Sequence, residues 1–189
     1  METNTVAENI AGADVGAIIV DDVDGSINDS FTFAVSDERF EVVDGVLRLK
    51  EGVTLDFESA GTISVDITVS DSGGLGVTET VEVIVQDAND APSSIALDNT
   101  VINEDTEGAL IGALSVNDDD AGDSHSFSVS DERFLVEDGV LRLAPGVSLD
   151  FEEEEVVSVD VTATDAEGLS VTQTFEINLN DVNDAPTAI

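Results

Sequence analysis

Asp87-Ala88-Asn89-Asp90-Ala91-Pro92 sets two carboxylates and a carboxamide within four residues. The same word returns at Asp181-Val182-Asn183-Asp184-Ala185-Pro186, 94 residues on (181 − 87). Carboxylate and amide oxygens are what a hard divalent cation takes, and calcium takes six to eight of them. One loop rarely supplies that many, so further acidic words must converge, and Asp118-Asp119-Asp120 is one of them. These two clusters are read as metal ligands, because solvation alone does not require them at a joint. Glu152-Glu153-Glu154-Glu155 reads instead, beyond Glu152, as a solvated acidic run.

Other chemistry finds little material. His125 is the only histidine and there is no cysteine. A serine triad would have to rest on His125, beside Ser124 and Ser126, and this position reads as a solvent-facing strand start. Zinc needs clustered nitrogen or sulfur ligands. A two-carboxylate glycosidase lacks an aromatic sugar platform, since Trp and Tyr are both zero. No glycine-rich phosphate loop follows a strand and opens a helix. An EF-hand frame ending at Gly25 fails at Val20, with Phe31 in the place of the bidentate Glu. The β-roll nonapeptide fails too, since Gly73-Gly74-Leu75-Gly76-Val77 lacks its Asp. The chain reads as a non-enzyme.

Charge narrows the partners. Acidic residues number 43 against 5 basic, a formal charge of −38. Nucleic acid is excluded, because counterion release needs the missing Lys and Arg. Anionic membrane surfaces are disfavoured likewise, and no apolar run reaches the ~18 residues of a membrane span.

The elements that would position the acids are strands. Period-2 alternation dominates, clearest where Ile63, Val65, Ile67 and Val69 alternate with Ser64, Asp66, Thr68 and Ser70. The first half predicts strands at 4–7, 15–20, 30–35, 40–43, 46–50, 62–70 and 77–86. Asp44-Gly45 predicts a tight hairpin and Gly73-Gly74 a turn. Ser36 to Phe40 (SDERF) returns as Ser130 to Phe134, Asp44 to Leu49 (DGVLRL) as Asp138 to Leu143, and Leu55-Asp56-Phe57-Glu58 as Leu149-Asp150-Phe151-Glu152. The expected fold is all-β: two tandem seven-stranded Greek-key β-sandwiches of immunoglobulin-like architecture. The expected domains are 1–92 and 93–189, with a linker over 87–92. Thr187-Ala188-Ile189 repeats the start of the second unit, so a further repeat is expected beyond it. Met1-Glu2-Thr3-Asn4 carries no basic-then-apolar leader, and an internal fragment of a longer protein is expected.

Glu8-Asn9, Leu55-Asp56-Phe57-Glu58, Asp87-Ala88-Asn89-Asp90-Ala91-Pro92, Asp118-Asp119-Asp120 and Thr164-Asp165-Ala166 fall in the order and rough spacing of a cadherin repeat. The resemblance covers essentially the whole chain, twice. The loop words, such as Asp120-Ala121-Gly122-Asp123-Ser124-His125, look most like cadherin-like repeats of large bacterial surface adhesins. It implies about three calcium ions at the inter-repeat joint. Glu8, Asp56, Glu58 and Asp90 would hold the outer two, with the Ala88 carbonyl and Asp120 completing the second. Asn89, the Ala91 carbonyl, Asp118, Asp120 and Asp165 would hold the third. Asp87 is left out of the ligand set.

Two weaker half-sites would lie at the ends: Asp22, Asp24 and Asp71 at one, and Glu104, Asp150, Glu152, Asn183 and Asp184 at the other. The resemblance implies calcium-binding extender repeats of a secreted or cell-surface protein, whose partners are neighbouring repeats of the same chain. Calcium would rigidify the joint. The alternative is a calcium-dependent module for carbohydrate or another surface ligand. Strand-exchange adhesion through an N-terminal Trp is not carried over, since this chain has no Trp.

Overall fold

The computed structural model describes residues 4–22 and 30–185. The chain divides into two compact units, Met1–Ala88 and Asn89–Ile189. Every regular element among the described residues is a strand.

Unit one runs β1 (Thr5–Ala7), β2 (Asp14–Ala17), β3 (Thr32–Val35), β4 (Phe40–Val43), β5 (Val46–Leu49), β6 (Thr62–Ser70) and β7 (Gly76–Gln86). One sheet has the order β1-β7-β6-β3 and the other β2-β5-β4. β1 lies parallel to β7, and the other pairs are antiparallel. Chain parity decides what is buried. Ile63, Val65 and Ile67 of β6 enter the core while Ser64 and Asp66 stay exposed. Phe40, Leu47, Leu49 and Val83 complete the centre of that core.

The SDERF turn explains how Phe40 is delivered. Asp37 accepts a bond from the Arg39 amide at 2.9 Å and a forked pair from its guanidinium, the shorter at 2.6 Å. The Phe40 amide closes the turn onto the Asp37 carbonyl. The guanidinium beside Asp37 holds its carboxyl below the usual range, and Arg133 does the same to Asp131 in unit two. At Asp44-Gly45 both residues take positive φ, 52° and 78°, as a two-residue type I′ hairpin demands.

Unit two runs β8 (Ser94–Leu97), β9 (Val101–Asn103), β10 (Leu110–Asn117), β11 (Ser126–Val129), β12 (Phe134–Glu137), β13 (Val140–Leu143), β14 (Val156–Thr164) and β15 (Ser170–Asn180). The sheets are β11-β14-β15-β9 and β12-β13-β10-β8, around Phe134, Leu141, Leu143, Val159 and Ile177. The seven expected positions are all present, with the first strand split between the two sheets. β8 pairs antiparallel with β10, and β9 pairs parallel with β15.

The split corrects one expectation in unit one. The strand predicted over 15–20 ends at Ala17. In unit two the matching strand continues because β8 pairs with Leu114–Asn117. Among the described residues, Ile18–Val20 has no such partner strand, and the ladder stops. The prediction at 30–35 starts two residues late, at Thr32.

Candidate metal centres

Glu8 organises the first acidic set. Its side chain is 1% exposed, at the end of β1. Oε2 accepts the Phe57 amide at 2.6 Å and Oε1 the Ala88 amide at 2.8 Å. A reversal makes this possible: Asn9 takes φ 60° and bonds the Leu55 carbonyl, turning the chain back after Glu8. Asn and Asp tolerate that left-handed conformation better than other non-glycine residues. The Leu55-Asp56-Phe57-Glu58 word forms a turn, in which Asp56 accepts from the Ser59 amide and hydroxyl. Those bonds hold the Asp56 carboxyl below its usual range. Carboxylate oxygens of Glu8, Asp56 and Glu58 then lie within 4.8 Å of one another. Asp87, left out of the expected set, brings an oxygen within the same distance of Glu58.

Unit two repeats the device. Glu104, 2% exposed, accepts the Phe151 amide at 2.6 Å and the Val182 amide at 2.7 Å, and Asp105 takes φ 57°. Glu104, Glu152 and Asp181 converge within 4.8 Å. Asp181, the counterpart of Asp87, is therefore the residue the sequence reading missed at this end, although its place at the head of the repeated word marked it. Asp150 instead caps its own turn, accepting the amides of Glu152 and Glu153. Asn183 donates to the Asp184 carbonyl. Partial burial and then the like charges of Asp184, Glu104 and Asp150 raise the Asp105 carboxyl. Glu152 is raised by partial burial first, and the charges of Glu104, Asp184 and Asp150 add to it. None of the ion pairs among the described residues reaches Glu8 or Glu104.

The other end of unit two holds a second kind of set. Asn89 donates Nδ2 to Asp165 Oδ2 at 2.9 Å and to the Asp90 carbonyl at 3.0 Å. Asp165 Oδ1 accepts three successive amides, from Glu167, Gly168 and Leu169. The Asn89 bond is the largest cause holding that carboxyl below its usual range, and the three amides add to it. The Asp90 amide donates to Asp120 Oδ2 at 2.7 Å, and the Asp120 amide to Asp118 Oδ1 at 3.2 Å. Ala91 is exposed and Pro92 buried.

His125 is not the solvent-facing residue expected. Its side chain is 12% exposed, and Nε2 lies 2.7 Å from Asp118 Oδ2. The short loop at 119–124 folds the ring back over Asp118. In unit one, Asp22 and Asp71 line one cavity of 270 Å³, and Asp71 accepts the Leu75 amide. Asp24 lies outside the described residues.

No protein-family model matches the chain. It is 34% identical over 197 residues to cadherin-related family member 1 of Xenopus laevis, across 93% of this chain and 22% of the relative. Its fold superposes on PcdhgB3 EC1-4 with a TM-score of 0.65 and 26% identity, across 95% of this chain and 47% of that one. Both units are cadherin-like repeats. Protocadherin gamma-B4 of Homo sapiens is 29% identical over 95% of the cadherin-like chain and 21% of its own length. Human protocadherin-24 EC1-2, at 24% identity and a TM-score of 0.64, supports the fold and covers 96% of each chain. The cadherin-like chain thus spans about a fifth of the curated relatives it matches. These relatives are animal proteins, and the bacterial adhesin setting read from the loop words has no counterpart among them. The carbohydrate-binding alternative gains no support from them either.

Proposed function

We propose that the two repeats bind calcium through the acidic sets around 87–91 and serve as a stiff extracellular spacer with an adhesive role. The observation that carries this reading is Glu8: a carboxylate 1% exposed, bonded by two backbone amides, without an ion pair among the described residues, and facing Asp56 and Glu58. A buried charge of that kind is expensive unless a cation offsets it. The second copy at Glu104 repeats the arrangement.

Glu8, Asp56, Glu58 and Asp90 would ligate the outer two of about three ions, with the Ala88 carbonyl and Asp120. Asn89, the Ala91 carbonyl, Asp118, Asp120 and Asp165 would ligate the third. Asp87 is added to the first group on its nearness to Glu58. Calcium, when bound, supplies positive charge against this crowd of carboxylates. The chain's own part is to fix the oxygens beforehand, through the Glu8 and Asp165 amide bonds and the Asx turn at Asp56. Because 87–91 is one continuous stretch, neutralising it would restrain the linker and turn a hinge into a spacer. The sets at Asp22, Asp24 and Asp71, and at Glu104, Glu152 and Asp181, would each await a neighbouring repeat and bind more weakly.

Cadherin-related family member 1 and the extracellular cadherin domains of protocadherin gamma B7 are among the proteins it resembles, which supports a non-enzymatic role outside the cell. Among the described residues no helix is long and apolar enough to cross a membrane. Calorimetric titration of calcium into the wild type and an Asp90→Ala/Asp120→Ala variant tests the reading. A loss of at least one binding event is expected, and equal heats for both proteins would overturn it.

A further inference from the structure

The loop between β10 and β11 places a histidine among oxygens, and calcium chemistry does not account for it. Donor atoms of Asp118, Asp123 and His125 lie within 4.8 Å of one another. They line a cavity of 370 Å³ that Asp120 also borders, backed by Val116 and Phe127. The Asp118 side chain is 5% exposed and the His125 ring 12%. Asp123 uses Oδ1 to accept the Ser124 amide at 2.7 Å. Its other oxygen, Oδ2, is buried and has no hydrogen-bond partner. A buried carboxylate oxygen left unpaired costs roughly 1–3 kcal/mol or more, and an ion or a water is its ordinary explanation.

The donor set chooses between ions. Calcium takes oxygen, whereas imidazole suits zinc and its first-row neighbours. Asp118 divides its two oxygens: Oδ1 accepts from the Asp120 amide, on the side of the oxygen-only set, and Oδ2 faces His125. Ligand bonds of about 2.0–2.2 Å separate neighbouring donors by roughly 3.0–3.5 Å. The 2.7 Å contact between His125 and Asp118 therefore opens by less than about 1 Å to admit such an ion. The repeat supplies its own contrast. At the offset of 94 that relates the two units here, the position of His125 is filled by Phe31 in unit one, so only unit two offers the nitrogen.

We infer that Asp118, Asp123 and His125 form a site for a divalent first-row transition ion that adjoins the proposed calcium set and shares Asp118 with it, with zinc as its natural probe and waters from the cavity completing the shell. Zinc is titrated calorimetrically into the whole chain in saturating calcium, and cobalt(II) is added in parallel to read its visible absorption. The wild type should bind one zinc per chain and give a cobalt spectrum with nitrogen coordination. His125→Phe, the residue unit one carries, should weaken zinc by at least about tenfold and lose that spectrum. Asp123→Asn, nearly isosteric, should also weaken zinc while the calcium heats of the same sample persist. Absence of zinc binding to the wild type, or zinc affinity in both variants equal to that of the wild type, overturns the inference. The calcium titration is read on the same proteins, so the two readings fail separately.

Discussion

At the scale of residues, Glu8 and Glu104 are where local chemistry and metal binding are hardest to tell apart. Each joins the end of an edge strand to the turn at Phe57 or Phe151 and to the amide at Ala88 or Val182. That is a structural staple in its own right. Removing it leaves two amides unpaired, at roughly 1–3 kcal/mol apiece. A carboxylate 1% exposed also carries its own desolvation cost, which a bound cation would offset. The two roles therefore predict different couplings. Glu8→Ala should destabilise the chain by about 2–5 kcal/mol in calcium and by clearly less in EDTA, measured by urea unfolding. Equal losses in both buffers would reduce Glu8 to a staple. The acidic words themselves were legible as candidate hard-cation ligands from residue type alone. Asp87 and Asp181 were not, because either could have capped its strand. His125 was not legible either: a lone histidine among serines looks exposed until the 119–124 loop brings it over Asp118.

At the scale of elements, short-range signals carried through and pairing did not. The Asp44-Gly45 and Asp138-Gly139 turns, the alternation of β6 and β14, and the hairpin registers all follow from residues within a few positions of one another. The split of the first strand of unit two depends on which sheet each half reaches, and a period of two says nothing about that. The same dependence on long-range pairing explains why the strand expected over 15–20 ends at Ala17. Gly112 sits at the register shift within the β10–β13 pairing, two residues before β10 begins to pair with β8 at Leu114. A Cβ there would stand 2.5 Å from Asp98 Oδ1, 2.8 Å from the Asn99 carbonyl oxygen and 2.9 Å from its amide nitrogen. Asp98 is itself held by the Ala113 amide at 2.7 Å, so neither side yields easily. Gly112→Ala should cost about 1–3 kcal/mol in guanidinium unfolding. An unchanged midpoint would mean that the strand switch does not need this close approach.

At the scale of the whole molecule, a formal charge of −38 over 189 residues allows two explanations of any effect of calcium. General repulsion among carboxylates weakens the folded state, and any salt relieves it, because the Debye length shrinks to about 3 Å at 1 M ionic strength. Specific ligation needs geometry, and the Glu8, Glu104 and Asp165 sets fix their oxygens on backbone amides in a way that repulsion alone would not produce. Mass action separates the two: a ligand at a hundred times its dissociation constant adds about 2.7 kcal/mol. For domains of this size that corresponds to a shift of roughly 10–20 °C in Tm. Calcium at a hundred times its dissociation constant should therefore raise the melting temperature by that order, and sodium chloride of matched ionic strength by only a small fraction of it. In Asp90→Ala/Asp120→Ala the calcium increment should shrink toward the sodium one, while the sodium increment stays as in the wild type. Calorimetric melting of both proteins in the two salts decides it, and equal increments from sodium and calcium would assign the effect to screening.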